Sequence, residues 1–123
     1  HGALEYPRDP ITQIFVNLLQ NAADASEDAQ HIEVSASLER RSPVLSEPQR
    51  LGLELRVRDY GVGLSPEASQ LIFEPFYTTK SKGEGTGLGL YTSYALAREL
   101  KGTLTLSNHL EGGVEAALWL PLP

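Results

Sequence analysis

The chain has 123 residues, of which 41% are apolar and 21% are charged, and its formal net charge is −6. This composition is typical of a soluble globular domain, and the absence of cysteine excludes thiolate metal sites, cysteine nucleophiles and a disulfide scaffold. The acidic charge disfavours nucleic acid as a partner, and no apolar run approaches the roughly 20 residues that span a bilayer.

The start of the sequence indicates an excerpt from a longer protein. The chain contains no Met and begins with His1, which is not a natural start. No repeat, low-complexity tract or internal boundary interrupts it, so we predict a single domain over residues 1–123.

The first predicted element is an amphipathic helix over residues 11–25. Its apolar residues recur at helical spacing, at Ile11, Ile14, Phe15, Leu18, Leu19, Ala22 and Ala25. A polar stripe, interpreted as lying opposite the apolar one, comprises Gln13, Asn17, Gln20, Asn21 and Asp24. A solvated face is the ordinary interpretation of such a stripe. Asparagine is a poor helix former, however, and its oxygen is a hard neutral ligand suited to Mg²⁺ that already carries phosphate oxygens and waters.

Two alternating runs predict a pair of strands that form a hairpin. The apolar face of the first run consists of Ile32, Val34, Ala36 and Leu38. The apolar face of the second consists of Leu51, Leu53, Leu55 and Val57. The intervening residues 42–50 contain two prolines and predict a long hairpin loop.

Asp59 follows the second strand in phase with Leu55 and Val57, so its carboxylate is predicted to face the buried side. A buried carboxylate needs a hydrogen-bond donor, and two interpretations supply one. The carboxylate either caps the following glycine-rich turn or accepts a hydrogen bond from the exocyclic amino group of adenine. In the second case Gly61 and Gly63 let the backbone bend under the ring, and guanine is rejected because it presents a carbonyl at that position.

The next segment contains a short helix start and a glycine-rich stretch. Ser65 is the predicted N-cap of a helix whose first position is Pro66. Residues 78–89 predict a mobile lid that leads into a helix ending at Gly102. Free N–H groups at that helix start favour a phosphate, although a flexible connector is the alternative. Lys80 and Lys82 are either cationic donors to that phosphate or ordinary surface lysines.

The last elements are two strands with Gly112 and Gly113 near their turn. The first contains Leu104 and Leu106, and the second alternates from Val114 to Leu120. Together the elements predict an α/β two-layer sandwich, with a mixed β-sheet and helices packed on one face.

Four short motifs occur in a fixed order along the chain: Asn-x-x-x-Asn-Ala, Asp-x-Gly-x-Gly, Phe-x-Pro-Phe and Gly-x-Gly-x-Gly-Leu-Gly-Leu. They resemble the N, G1, F and G2 boxes of sensor histidine kinases, and the match extends from about Asp9 to Pro121. The resemblance implies the Bergerat ATP-binding fold, with ATP and Mg²⁺ as the bound groups.

The resemblance also implies a role for each matching residue. Asn21 would be the Mg²⁺ ligand, Asp59 would bind the adenine amino group, and Asn17 and Lys80 would serve catalysis near the phosphates. The other implied nucleotide-binding residues are Gly61, Gly63, Leu64, Phe76, Thr79, Gly85, Thr86, Gly87, Leu88 and Gly89. Phe73 would join Phe76 in anchoring the base of the lid.

The chain departs from the family pattern at three positions. Many relatives carry a basic residue in place of Asp24, an arginine in place of Thr78, and a serine or threonine in place of Val114. Lys80 is the candidate replacement for the missing arginine. The usual N-terminal strand is expected to be missing or truncated.

Three functions are compatible with the resemblance. ATP hydrolases of the gyrase type use a carboxylate one turn before the metal-binding asparagine, and Asn17 cannot accept a proton there. This favours phosphoryl transfer to a histidine on a separate dimerisation domain of the same protein, for relay to a response regulator. A nucleotide-binding module without catalysis is the third possibility. The resemblance also implies a cytoplasmic domain without direct membrane contact, in a parent protein anchored in the bacterial inner membrane.

Overall fold

The chain forms a layer of helices on a layer of strands. The computed structural model describes residues 8–25, 31–42, 46–71 and 89–123. Within these ranges the elements in chain order are α1 (Arg8–Ala25), β1 (Glu33–Arg41), β2 (Arg50–Arg58), α2 (Pro66–Leu71), α3 (Gly89–Glu99), β3 (Thr103–Asn108) and β4 (Val114–Pro121). None of the described helices is long and apolar enough to cross a membrane.

The four strands form one sheet in the order β1-β2-β4-β3. The register aligns Leu55 with Ala36 on one side and with Leu118 on the other, and Leu118 also pairs with Leu104. The predicted two-layer α/β sandwich is confirmed, with one correction: the described strands pair antiparallel throughout and do not form a mixed sheet. The β1–β2 and β3–β4 pairs are hairpins, which are antiparallel because a parallel pair requires a crossover connection, and the β2–β4 pair is antiparallel as well.

The core lies between the sheet and the helices α1 and α3. Ile14, Leu18 and Ala22 recur every four residues on α1 and are at most 4% exposed, as the predicted helical stripe requires. They pack in one cluster with Val57, Ala97, Leu104, Ala116, Leu118 and Leu120. The predicted hairpin is confirmed, since β1 pairs with β2 over its whole length.

The apolar face of β1 differs from the prediction. Val34 and Leu38 are 49% and 60% exposed, although their alternation predicted a buried face. β1 is an edge strand of the described sheet, and α1 and α3 pack over β2 and β3. Position within the sheet therefore decides the burial of these two side chains, which alternation alone does not reveal.

The face of the sheet opposite the helices is also partly buried. Glu54 is 2% exposed and accepts hydrogen bonds from Arg41 and Arg56. On the same face the Trp119 indole donates to the Glu39 carbonyl at 2.9 Å. The indole lies over Gly52, where a β-carbon would collide with the ring. The outer face is therefore held by charged and aromatic side chains rather than left as a simple solvated surface.

The sequence predicts a cap at the start of α2 and another at the end of α3, and the structure shows both. The Ser65 hydroxyl accepts a hydrogen bond from the Ala68 N–H at 3.0 Å, which confirms the N-cap of α2. At the end of α3, Lys101 has a positive φ of 66°. Its N–H donates to the Arg98 carbonyl at 3.0 Å, and the Gly102 N–H donates to the Ala97 carbonyl at 2.9 Å.

This pair of hydrogen bonds is a Schellman motif in which Lys101 occupies the left-handed position usually taken by glycine. Gly102 does not supply the positive φ. A β-carbon at Gly102 would instead collide with the Trp119 carbonyl oxygen on β4. The glycine is therefore required for close packing of the turn against the sheet.

Candidate functional site

The Asp59 carboxylate lies just beyond the end of β2 and is 5% exposed. Its Oδ1 accepts hydrogen bonds from the Gly61 N–H at 2.9 Å and from the Val114 N–H at 3.1 Å. The predicted inward orientation is confirmed. The bond to Gly61 also matches the interpretation in which this carboxylate caps the glycine-rich turn.

The two oxygens of Asp59 have different surroundings. Both hydrogen bonds described above end on Oδ1, and Oδ2 accepts none from the part of the chain that the structure describes. An ionised carboxylate has acceptor capacity on both oxygens. One oxygen can therefore hold the turn while the other accepts a hydrogen bond from a ligand, so the two interpretations of Asp59 are compatible.

Two glycines, Gly61 and Gly113, permit three elements to approach closely around Asp59. A β-carbon at Gly61 would collide with the Ala25 carbonyl oxygen at the end of α1. A β-carbon at Gly113, whose φ is 81°, would collide with the Asp59 carbonyl oxygen. The ends of α1 and β2 and the start of β4 thus meet at a spacing that only glycine allows.

Asn108 holds the next part of the turn and was missed in the sequence. Its Oδ1 accepts from the Leu64 N–H at 2.7 Å, and its Nδ2 donates to the Leu64 carbonyl at 3.0 Å. Gly63, at a φ of 85°, passes so close that a β-carbon would lie 2.8 Å from Asn108 Oδ1. A single side chain at the end of β3 therefore fixes Leu64, one of the predicted nucleotide-binding residues.

The two asparagines of α1 flank the apolar stripe. Asn17 and Asn21 are half-buried and lie one residue before Leu18 and Ala22, which are buried. Successive helical residues are separated by about 100°, so these carboxamides border the core and do not lie opposite it as predicted. The more distant members of the polar stripe are exposed, and Gln20 donates to Asp24 at 3.1 Å.

Asn17 connects α1 with α3. Its Nδ2 donates to the Ser93 hydroxyl at 3.1 Å, and Ser93 is fully buried. This contact orients the carboxamide and was not predicted, because the partners are 76 residues apart. The role of Asn17 in catalysis stays a prediction.

Several predicted site residues approach one end of the sandwich. The chain turns tightly from α3 into β3, and the two elements pack together, so α3 runs antiparallel to β3. Its first residue, Gly89, therefore lies at the end of the sheet where β3 stops at Asn108. Asn21 is one helical turn before Ala25, whose carbonyl touches the same turn at Gly61. The predicted site residues that the structure describes therefore lie at the same end of the sandwich.

Groups of three or more His, Asp or Glu residues that could hold a metal ion do not occur among the described residues. The Asn21 carboxamide is half-buried and makes no side-chain hydrogen bond with the described part of the chain. Its oxygen is suited to Mg²⁺ only as one ligand beside oxygens that a phosphate and waters supply. At Asn21 the described residues thus offer a magnesium ion one carboxamide oxygen, and a polyphosphate and water would have to supply its other ligands.

The remaining predicted site residues lie outside the described ranges. They are Phe76, Thr79, Lys80, Gly85, Thr86, Gly87 and Leu88. The lid, the anchoring role of Phe73 and the replacement of an arginine by Thr78 also fall there. These assignments stay predictions.

Tyr60 lies beside Asp59 in sequence but belongs to a separate surface cluster. The Arg58 guanidinium lies 4.1 Å from the centre of the Tyr60 ring, and His31 approaches the same ring edge-on at 4.8 Å. A hydrogen bond to Glu33 raises the pKa of the Tyr60 hydroxyl above its usual value. The alternation along the strand thus sends Tyr60 outward and Asp59 inward.

Comparison with known proteins identifies a family and several similar chains. A family model described as histidine kinase-, DNA gyrase B- and HSP90-like ATPase matches residues 7–123. The two-component sensor PprA of Pseudomonas aeruginosa is 41% identical over 86% of this chain and 11% of its own length. The C4-dicarboxylate transport sensor protein DctB of the same species is 40% identical over 89% of this chain and 17% of its own length. The chain thus spans less than a fifth of these relatives.

Solved structures give the same picture of the fold. The mycobacterial sensor histidine kinase MprB superposes with a TM-score of 0.72 at 24% identity, over 97% of this chain and 76% of that structure. The catalytic domain of histidine kinase ThkA gives 0.70 at 28% identity, over 96% of this chain and 70% of that structure. Full-length ShkA, solved with AMPPNP, gives 0.64 at 26% identity, over 92% of this chain and 21% of that structure.

Proposed function

Because the chain belongs to the family of histidine kinase-, DNA gyrase B- and HSP90-like ATPases, we propose that it is the catalytic domain of a two-component sensor histidine kinase. It binds ATP and transfers the γ-phosphoryl group to a histidine on a separate dimerisation domain of the same protein. A response regulator then receives the phosphoryl group. The observation that carries the proposal is the Asp59 carboxylate, which combines burial, a fixed Oδ1 and an Oδ2 with remaining acceptor capacity.

Adenine recognition follows from this arrangement. Gly61 and Val114 hold Oδ1, so the carboxylate cannot rotate without losing two backbone hydrogen bonds. Oδ2 is then presented in a fixed direction to the exocyclic amino group of the base. A guanine carbonyl at that position would face an acceptor, and a desolvated acceptor pair is unfavourable. The solved complex of the similar kinase ShkA with AMPPNP supports an adenine nucleotide as the ligand.

Residues of α1 and of the start of α3 would form the part of the site that binds the phosphates. Asn21 would supply its carboxamide oxygen to Mg²⁺, and Asn17 is oriented beside it by the buried Ser93 hydroxyl. Mg²⁺, when bound, neutralises charge on the phosphate oxygens. The N–H groups at the start of α3, at Gly89, favour the polyphosphate through the helix dipole. The contribution of Lys80 belongs to the same proposal.

The chemical step needs a nucleophile from outside the described residues. The bond between the γ-phosphorus and the bridging oxygen breaks, a bond from the histidine imidazole nitrogen to phosphorus forms, ADP leaves and the imidazole loses its proton. Within the domain, catalysis then consists of positioning and charge stabilisation. Asn17 supports this over gyrase-type hydrolysis, because a carboxamide cannot activate a water molecule as a base.

The parent protein belongs to the same proposal. Relatives such as PprA and DctB are named as sensors, which supports a parent anchored in the bacterial inner membrane with this domain in the cytoplasm. ATP is available on that side of the membrane only.

The experiment that tests this function supplies the parent protein's phosphoacceptor helix to the chain in trans, with γ-labelled ATP and Mg²⁺. We expect acid-labile label on the helix and little steady ATP hydrolysis without it. Appreciable hydrolysis by the chain alone would favour the gyrase-type alternative. Tight ATP binding with no labelled helix would favour a binding module without catalysis.

A further inference from the structure

A second concave surface lies at the end of the sandwich remote from Asp59. It is a cavity of about 620 Å³ where the end of α3 approaches the starts of β2 and β3. Its lining includes the half-buried Tyr94 and the buried Leu104, and the exposed Glu47, Arg50, Arg98 and Lys101 form what we call its rim. β2 runs from Arg50 to Arg58, so roughly 30 Å of extended strand separates the cavity from Asp59. The cavity is therefore distinct from the proposed nucleotide site.

The rim collects basic side chains that lack carboxylate partners in the described part of the chain. Three other arginines of the sheet, Arg41, Arg56 and Arg58, lie 2.6–3.8 Å from a carboxylate, whereas Arg40 at the edge strand has no such contact among the described residues. Arg50, Arg98 and Lys101 have no such ion pair among the described residues. In a chain with a net charge of −6, these three cations outnumber Glu47, the carboxylate among the described lining residues, and form a local positive surface.

Arg98 and Tyr94 form a packed pair at the wall of this cavity. The guanidinium carbon lies 5.8 Å from the centre of the Tyr94 ring, and Arg98 NH1 donates to the Tyr94 hydroxyl at 3.3 Å. The cation–π contact and the hydrogen bond favour this orientation of the long arginine side chain before any partner arrives. Arginine and tyrosine are both enriched in protein–protein contacts.

Lys101 supplies the third cation of the rim, and its backbone conformation is unfavourable for a residue other than glycine. Its φ of 66° lies in the left-handed region, where glycine is the favoured residue. Gly102, next in sequence, meets a different requirement, the close approach to β4. The chain therefore retains a charged side chain where a glycine would relieve strain, and such a strained position is consistent with a functional role.

The exposure of the rim favours an extended ligand over a small anion. Arg50, Arg98 and Lys101 are all exposed, so each stays hydrated and screened, and none can enclose a single ion. An acidic polypeptide can contact the separate cations in turn while an apolar side chain enters beside Tyr94 and Leu104.

We propose that this cavity docks an acidic segment of a partner protein, with an apolar side chain of that segment inserted between the basic residues. The partner's carboxylates face Arg50, Arg98 and Lys101. The inserted side chain packs mainly against the half-buried Tyr94, since Leu104 is already buried in the core. The site needs neither ATP nor phosphoryl transfer, so its test is independent of the proposed kinase function.

The test uses a labelled synthetic peptide with one leucine flanked by glutamates, and a matched peptide with glutamines in place of the glutamates. Fluorescence anisotropy should show binding of the acidic peptide to the whole chain, with affinity decreasing as salt is raised. Arg50→Gln with Arg98→Gln should weaken binding about tenfold, since two exposed charge pairs are lost. Arg40→Gln removes an exposed cation outside the cavity and should leave binding unchanged within about twofold.

Lys101→Gly separates loss of binding from loss of folding. Glycine suits the left-handed position, so this variant should be at least as stable as the wild type and should still bind the peptide about two- to fivefold more weakly. The proposal would be overturned if the glutamine peptide bound as tightly as the acidic peptide. It would also be overturned if the variants of the three rim cations bound the acidic peptide as tightly as Arg40→Gln does. Displacement of the peptide by millimolar inorganic phosphate would do the same, because it would assign the cavity to a small anion.

Discussion

Asp59 and Val114 are joined by two hydrogen bonds that use different parts of Asp59. The Asp59 N–H donates to the Val114 carbonyl at 2.9 Å, and the Val114 N–H donates to Asp59 Oδ1 at 3.1 Å. The first bond continues the β2–β4 pairing, while the second fixes the carboxylate. The same residue pair thus belongs both to the sheet and to the proposed adenine site.

Asp59→Asn should relax the preference for adenine over guanine without unfolding the chain. The carboxamide oxygen can keep the bonds to Gly61 and Val114, whereas its amino group would meet the adenine amino group and could donate to a guanine carbonyl. We expect ATP affinity to fall about 10- to 100-fold and the preference over GTP to shrink, corresponding to an unsatisfied buried group. Isothermal titration calorimetry with both nucleotides measures this. Glu111→Gln, an exposed turn position, is the matched control, and equal ATP and GTP binding by the wild type would refute the assignment.

Asn21→Ala should weaken ATP binding only when Mg²⁺ is present. Loss of one neutral oxygen ligand is expected to reduce magnesium-dependent affinity by about tenfold, comparable to loss of a hydrogen bond to a charged group. Titration of ATP with Mg²⁺ and with EDTA separates the two contributions. Gln20→Ala changes an exposed neighbour on the same helix and should behave like the wild type. An unchanged magnesium dependence in Asn21→Ala would remove this residue from the metal.

Asn108→Ala should loosen the turn that carries Leu64. The variant loses two hydrogen bonds to the Leu64 backbone, so we expect a destabilisation of about 1–2 kcal/mol and weaker ATP binding. Asn108→Asp keeps the accepting oxygen but places a second acceptor opposite the Leu64 carbonyl, so it should not restore wild-type stability. Chemical denaturation followed by circular dichroism, with Ser107→Ala as the exposed neighbouring control, tests the effect. If Asn108→Ala were as stable as the wild type, contacts other than the Asn108 side chain would hold the turn.

Lys101→Gly should raise the free energy of unfolding by about 1 kcal/mol, because a non-glycine residue in the left-handed region is strained by roughly that amount. Lys101→Ala removes the charge but keeps the strain, so its thermal midpoint should not rise. Comparing the two thermal midpoints therefore separates the effect of backbone strain on stability from the effect of the lysine charge. A rise of the same size in both variants would contradict the proposed strain.

Gly52→Ala should displace Trp119 from its position over β2. A methyl group there would occupy the space of the indole ring and approach the Leu120 carbonyl, and overpacking of this kind costs about 1–3 kcal/mol. Loss of near-ultraviolet circular dichroism together with a lower denaturation midpoint would be the expected result. Ser37→Ala, on the exposed edge strand, provides a control for general sensitivity of the sheet.

Local patterns predicted most of the architecture. The spacing of Ile14, Leu18 and Ala22 specified α1 and its buried stripe, and alternation specified both hairpins. The phase of Asp59 relative to Val57 also predicted its inward carboxylate correctly. These features depend on the fixed geometry of single elements, which neighbouring residues alone determine.

The corrections arise where distant elements meet. Leu64 is held by Asn108, 44 residues away, and Asn17 by Ser93, 76 residues away. No local period links such pairs. The exposure of Leu38 likewise depends on which strand lies at the edge of the sheet, a property of the topology rather than of the alternating run.

Trp119 is the chain's single tryptophan, is 1% exposed, and lies on the face of the sheet turned away from the helices and from Asp59. Its intrinsic emission is therefore an optical signal for integrity of the sheet and insensitive to occupancy of the base pocket. Unfolding should shift that emission to longer wavelength, whereas saturation with ATP should leave the spectrum of the native protein unchanged.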